Sequence, residues 1–304
     1  MAQYLNLKPV DFDALSAKKQ ASYVWKGKRL LPKYDGCFMM VAFWDGKPDF
    51  ILSRAGEEVK SCDHIYDDVL KRYPKIAQTK GGKMFLGEAW RPGTEFAVLS
   101  GEFRRQRPQI GLGFAVFDLV NYTMDDKDLP ILHSPYTYAD RLALLEDCDR
   151  VVGGNCFPPL SVECEDEAHA WRYAVSLKEM GGYDGAVAAD PHLDYPGAGS
   201  GKCGSFIKLK PLKRFSLECV AVENSIGKQT GRPIGTPVVR FKSGRCGVGT
   251  GFSNDDAEAW YSRPEMIVGK ILEVACMDVY PGEAGMMREP RYLGVRDDVI
   301  KPDY

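Results

Sequence analysis

Apolar residues alternate with polar ones on both sides of Asp45-Gly46 in "MMVAFWDGKPDFILSRAG" (39–56), which predicts a β-hairpin turning at that pair. "KMFLGEAW" (83–90) and "GLGFAVFDLVNY" (111–122) are rich in aromatic and β-branched residues and predict buried strands. "YDGAVAAD" (183–190) and "GSFIKLKP" (204–211) predict two more. Helical spacing runs through 64–78, 136–148 and 165–182, the last stopped by Gly181 and Gly182, and a short helix is expected within 11–25.

After Pro211 the pattern changes to short strands separated by glycine turns, at 215–225, 236–251, 268–280 and 290–298. One helix interrupts them at "SNDDAEAWY" (253–261), with Ser253 as N-cap and Asp256 where a capping box needs its acid. Four or five strands and one helix in that length suggest a small barrel of the OB type. The expected class is α+β, with a larger mixed α/β domain over 1–213 and a small β-barrel over 214–304.

Composition narrows the picture modestly. The chain has 304 residues, 44% hydrophobic and 27% charged, the balance of an ordinary globular protein. A formal net charge of −2 advertises no global field for nucleic acid. Basic clusters stand out locally: "KGKRLLPK" (26–33), "EFRRQRP" (102–108), "FIKLKPLKR" (206–214) and "VVRFKSGR" (238–245). The nine cysteines are irregularly spaced without a Cys-x-x-Cys and there are four scattered histidines. A zinc site is therefore not expected, and reduced thiols in a cytoplasmic compartment are. The first residues lack the apolar core of a signal peptide, and no apolar run approaches membrane-spanning length.

Lys33 directly precedes an acid-glycine turn in a stretch that otherwise predicts a buried strand, "LLPKYDG" (30–36). Four further stretches follow it in order: "LGE" (86–88), "FAVFD" (114–118), "YDGAV" (183–187) and "IKLKP" (207–211). A last one, "REPRYLGVRDD" (288–298), closes the expected barrel. Order and strand context together resemble the covalent nucleotidyltransferases: the ATP-dependent DNA ligases, RNA ligases and mRNA capping enzymes. The resemblance covers nearly the whole chain. Its short length is most similar to the minimal, phage-encoded ATP-dependent DNA ligases.

The resemblance implies a nucleotidyltransferase (adenylation) domain built on antiparallel sheets, followed by an OB-fold domain. It implies Lys33 as the nucleophile that takes AMP from ATP, with Pro32 beside it at the nucleotide. Lys208 and Lys210, which alternate on one strand, would hold the α-phosphate and counter its charge. A lysine amine attacks only when unprotonated, and desolvation with nearby positive charge favours that form. Phe117 would stack on adenine, and Glu88 would bind the ribose or a metal. Asp184 would help to hold Mg²⁺ (or Mn²⁺). Arg54 is implied as a phosphate and DNA contact. Arg104, Arg105 and Arg107, on a loop, would touch DNA backbone phosphates. Arg288 and Arg291 would orient pyrophosphate, on a barrel that swings about a joint near residues 212–215.

The implied partner is nicked duplex DNA, acted on by a protein expected to be monomeric and not membrane-bound, in DNA repair or replication. An RNA ligase of the same superfamily and a non-catalytic OB-containing binding homologue are the alternatives. The chain departs from the family in three places. Phe38 stands where K-x-D-G-x-R has its arginine, Asp184 replaces the usual glutamate of E-G, and "LGE" lacks the first acid of D/E-G-E.

Overall fold

The computed structural model describes residues 9–126, 129–148, 154–195, 205–280 and 285–304. Residues 1–8, on which the expected lack of a signal peptide partly rests, lie outside them. The chain divides into two compact units, Met1–Lys210 and Pro211–Tyr304.

In the first unit the elements are, in chain order, β1 (Val10–Asp11), α1 (Ala17–Ala21), β2 (Arg29–Tyr34), β3 (Cys37–Trp44), β4 (Lys47–Ser53), α2 (Ile65–Arg72), α3 (Pro74–Ala77), β5 (Gly82–Trp90), α4 (Phe96–Phe103), β6 (Gly113–Met124), β7 (Pro130–His133), α5 (Tyr138–Glu146), β8 (Cys156–Phe157), β9 (Val162–Glu163), α6 (Glu167–Met180), β10 (Tyr183–Ala189) and β11 (Phe206–Leu209). They build two sheets, ordered β1-β11-β10-β2-β9 and β4-β3-β5-β6-β7, with β8 pairing β6. Pairing is antiparallel as expected, except where β1 runs parallel to β11 and β8 parallel to β6.

The hairpin turns at Asp45-Gly46, where both residues have positive φ (49° and 79°), the backbone that a two-residue hairpin turn demands. Its strand β3 is apolar throughout because both faces are covered. Met39, Val41 and Phe43 pack with Ile65 and Val69 of α2, while Phe38, Met40 and Ala42 pack with Leu86 and Val120. On the other sheet, α6 lays Ala170, Ala174 and Leu177 against Leu30, Ala186 and Ala188. The small residues let the helix approach the strands closely.

The helix α4 and the strand β7 were not expected. The former contains Ser100 and Gly101, poor helix formers, and Glu95 makes no side-chain cap. The loop expected to carry Arg104, Arg105 and Arg107 begins only after Phe103, where α4 ends.

A buried ion pair ties α5 to β6. Arg141 donates to both oxygens of Asp118, from Nε at 2.7 Å and from Nη2 at 3.0 Å, with the two side chains 1% and 2% exposed. Asp118 also accepts from its neighbour's amide, Leu119 N, and Arg141 donates to the Tyr136 carbonyl. This bidentate geometry satisfies both charges where water is excluded.

The second unit carries β12 (Lys213–Ile226), β13 (Pro233–Phe241), β14 (Gly244–Gly247), α7 (Asn254–Ser262), β15 (Ile271–Cys276), β16 (Asp278–Tyr280), β17 (Met286–Arg288) and β18 (Arg291–Val295). The long β12 pairs with β15 through its first half and with β13 through its second, the register shifting between Cys219 and Ala221. A bulge of this kind bends the strand. The five-stranded sheet β14-β13-β12-β15-β18 then curls until Thr250, just past β14, bridges Arg291 on the opposite edge. α7 starts on the expected capping box of Ser253 and Asp256 and buries Trp260 against Phe252 and Tyr292. The joint expected at 212–215 is corrected as well. Lys213, Arg214 and Phe215 already pair with β15, and Phe215 packs on Phe241.

Arg141→Met leaves the Asp118 charge buried and unpaired. It should cost about 3–5 kcal/mol and lower the unfolding midpoint of the first unit by roughly 10 °C. Calorimetry checks this, and replacing both Asp118 and Arg141 by leucine should recover most of the loss.

Candidate functional site

A cavity of about 320 Å³ opens between the two sheets of the first unit. Its walls bring together Pro32, Lys33, Arg54, Glu88, Phe117, Lys208 and Lys210, seven of the residues singled out in the sequence. Leu31, Val187 and Phe206 supply apolar wall.

Lys33 owes its setting to strand register. β2 pairs with β10 so that Tyr183 faces Tyr34 and Gly185 faces Lys33, leaving Asp184 as the extra residue of a bulge. Gly185, at φ 127°, gives the backbone the freedom for that irregularity. The bulge aims Asp184 at its neighbour strand, and Lys33 Nζ donates to Asp184 Oδ2 at 2.8 Å. Asp184 is 5% exposed and Lys33 23% exposed toward the cavity. Around this bulge Tyr34, Trp90 and Tyr183 form an aromatic cluster. Trp90 Nε1 and the Asp35 amide both donate to the Gly182 carbonyl, which locks the turn before β10.

Glu88 lies directly opposite Phe38 across β5 and β3. Its Oε2 is enclosed and makes no hydrogen bond among the described residues. Burial pushes the Glu88 carboxyl up to about 7, against the opposing pull of Lys33 and Arg54, and Asp184 adds to the rise. Arg54 follows β4 and sets its guanidinium 4.3 Å from the centre of the Phe38 ring. Burial lowers the Arg54 pKa, while Glu88 works the other way. Phe38, which stands where the motif arginine was expected, and Arg54 both line the cavity.

Lys208 stands opposite Asp11 in the parallel pairing of β1 with β11, and its Nζ lies 3.3 Å from Asp11 Oδ2. Lys210 lines the cavity just after β11. Phe117 is partly buried at the cavity edge, 6.1 Å from the Phe38 ring centre, and its carbonyl accepts from the Tyr138 hydroxyl at 2.9 Å. Asp118, Arg141 and Tyr138 form the wall behind it. In the sequence Asp118 stands out only as part of a strand motif, and no motif marks Arg141. The available signal was an arginine on the apolar side of α5.

The arginines predicted to contact DNA and pyrophosphate are not among the residues lining this cavity. Arg104, Arg105 and Arg107 are exposed after α4, with Arg105 donating to the Gln109 side chain at 2.9 Å. Arg288 and Arg291 are half-buried in the second unit, on β17 and β18. No group of three or more His, Cys, Asp or Glu residues capable of holding a metal occurs among the described residues. No described helix is long and apolar enough to cross a membrane.

No family model and no curated protein sequence matches the chain. Solved structures do. One described by work on Lig E DNA ligases, "DNA binding with a minimal scaffold", superposes with a TM-score of 0.68 at 15% identity, over 96% of this chain and 98% of that one. Another, "Pmar-Lig_PreS3", superposes with the same TM-score at 19% identity, over 96% of this chain and 68% of that one. The chain shares the fold of these two solved structures.

The buried carboxyl gives a stability test. Folding raises the Glu88 pKa from an ordinary value near 4.5 to about 7. Its contribution is fully present below the unfolded value and is lost as pH climbs to the folded one, a fall of about 3 kcal/mol. Glu88→Gln should match the parent near pH 4.5 and exceed it at pH 8. Urea unfolding at the two pH values measures the difference.

Proposed function

We propose that this chain is an ATP-dependent DNA ligase that seals 3′-hydroxyl/5′-phosphate nicks in duplex DNA. The single observation that carries the reading is the cavity in which Lys33 faces Lys208, Lys210, Arg54, Glu88 and Phe117. One nucleophile-type lysine among further cations, beside an aromatic wall, suits a nucleotide bound by its base and phosphates. The ligase fold supports the same reading.

In the first step Lys33 Nζ attacks the α-phosphorus of ATP, forming a phosphorus–nitrogen bond as the bond to pyrophosphate breaks. The Lys33 amine gives up its proton in that step, and Asp184 Oδ2 is the nearest oxygen to it. The nick's 5′-phosphate oxygen then takes AMP from Lys33. Last, the 3′-hydroxyl attacks that phosphorus and AMP leaves. Adenylation is needed because a bare phosphate monoester offers no competent leaving group. Lys208 and Lys210 draw off the charge that builds on the α-phosphate, and Phe117 stacks on adenine, with Pro32, next to Lys33 on β2, at the nucleotide. Arg54 reaches the phosphates from the wall it shares with Phe38.

A divalent cation, Mg²⁺ or Mn²⁺, fits the donors present. Glu88 Oε2 is an enclosed oxygen in want of a partner, Asp184 lies next to the nucleophile, and Mg²⁺ ordinarily takes the rest of its shell from phosphates and water. Bound there, the cation would neutralise phosphate charge as a Lewis acid. The curled second unit has the strand order and helix of an OB barrel and is read as one. Arg288 and Arg291 at its edge are the candidates to orient pyrophosphate. Arg104, Arg105 and Arg107, exposed after α4, are read as contacts to DNA phosphates, and the protein as a monomer in DNA repair or replication.

A singly nicked, end-labelled DNA duplex incubated with ATP and Mg²⁺ should be sealed, and Lys33→Ala should abolish sealing. Sealing of a nicked RNA duplex alone would move the protein to the RNA ligases, and a parent protein inert on both would overturn the reading. Arg104→Ala with Arg105→Ala should weaken DNA binding roughly tenfold or more at moderate salt, with AMP transfer to the enzyme intact. Loss of that transfer in this double variant would remove both residues from the DNA-contacting set.

A further inference from the structure

The short strand β1 forms one edge of the sheet that carries Lys33. Its register gives it a place at the cavity. Across the sheet, Leu31 of β2 faces Val187 of β10, Val187 faces Lys208 of β11, and Lys208 faces Asp11 of β1. Residues directly opposite one another put their side chains on the same face of a sheet. Leu31, Val187 and Lys208 all line the cavity, so Asp11 ends the row that makes this wall. Pro9, two residues earlier in an extended stretch, lines the cavity as well. Phe12 turns the other way. It packs on Trp25 and Trp171, with ring centres 5.0 and 6.3 Å apart, in the core that α6 covers. The Gln20 side chain donates to the Phe12 and Leu15 carbonyls at 3.1 and 3.0 Å. These contacts anchor the chain just after β1, and with it Asp11.

Asp11 Oδ2 lies 3.3 Å from Lys208 Nζ, with the two side chains 21% and 23% exposed. The Lys208 ammonium ends a flexible four-carbon stem, which gives up rotamer freedom when it is fixed at a phosphate. An ammonium has three N–H donors, so it can keep Asp11 and still donate to a phosphate oxygen. We propose that Asp11 is a positioning residue for the nucleotide site: from the anchored strand β1 it holds the Lys208 ammonium at the cavity wall, where the nucleotide's α-phosphate meets it. The proposal rests on the ligase reading, which assigns Lys208 to that phosphate. A carboxylate in this place acts in two opposed ways. It repels the phosphates directly, and it fixes the cation that attracts them. With Lys208 present the second effect prevails, because the ammonium stands against the carboxylate. Without Lys208 only the repulsion is left, so the effect of removing the Asp11 charge loses its sign or reverses it.

The experiment measures binding of α,β-methylene-ATP with Mg²⁺ to the intact chain by calorimetry, the methylene bridge preventing AMP transfer. Asp11→Asn should weaken binding about two- to fivefold, the span of a partly exposed ion pair. Asp11→Glu, which keeps the carboxylate, should stay closer to the parent. In a Lys208→Gln background, Asp11→Asn should leave binding unchanged or tighten it, a cycle that isolates the coupling of the two side chains. A strand that merely supported the fold would weaken binding in both backgrounds, and melting curves of each variant report lost folding separately. A folded Asp11→Asn with the parent's affinity would overturn the proposal, as would equal weakening with and without Lys208. A parent chain that neither binds the analogue nor takes AMP from labelled ATP would mean that the ligase reading has failed, and that result is distinguishable from either of these.

Discussion

Everything at the site depends on the contact between Lys33 and Asp184. It exists because β10 carries one residue more than β2 can match, so the strand bulges and turns a carboxylate inward instead of along the ladder. Burying that charge is costly unless a cation meets it, and Lys33 does. The aromatic cluster of Tyr34, Trp90 and Tyr183 and the two hydrogen bonds to Gly182 hold the bulge in place. A nucleophile-type amine is thereby kept at a defined point on the wall of a cavity otherwise built from rigid strands.

The same logic extends outward. Glu88 is held where burial favours its neutral form, at a cost to stability that rises with pH. Lys208 faces Asp11, so a second lysine of the cavity also rests against a carboxylate. These two lysines are each matched to an acid of the protein. Behind this array, the Asp118–Arg141 pair and the Tyr138 hydroxyl brace the strand that presents Phe117. The site is accordingly assembled from both sheets, and neither sheet alone contains it.

Much of this was legible in the residues. The hairpin at Asp45-Gly46, the paired glycines ending α6 and the capping box of α7 are local signals, and each marks the element it was expected to mark. The ordered motifs named six side chains that the fold brings to one cavity, where Arg54 joins them from the end of the hairpin, because strand-borne motifs keep their direction when the sheets form. What escaped was non-local. The bulge at Asp184 depends on the register with β2, and the Arg141–Asp118 pair joins residues on a helix and a strand that are separate in the chain. The helix α4 has weak propensity and no side-chain cap, so only packing of Leu99 and its neighbours defines it. Phe38 was visible as a departure, but its contact with the Arg54 guanidinium, which the hairpin carries to the same cavity, was not.

The most direct measurement is the intact mass of the purified chain after incubation with ATP and Mg²⁺, followed by peptide mapping of any modified form. The account predicts a single added AMP, acid-labile as a phosphoramidate is, on the peptide that contains Lys33. An AMP found on any other residue, or a mass that does not change, would contradict it.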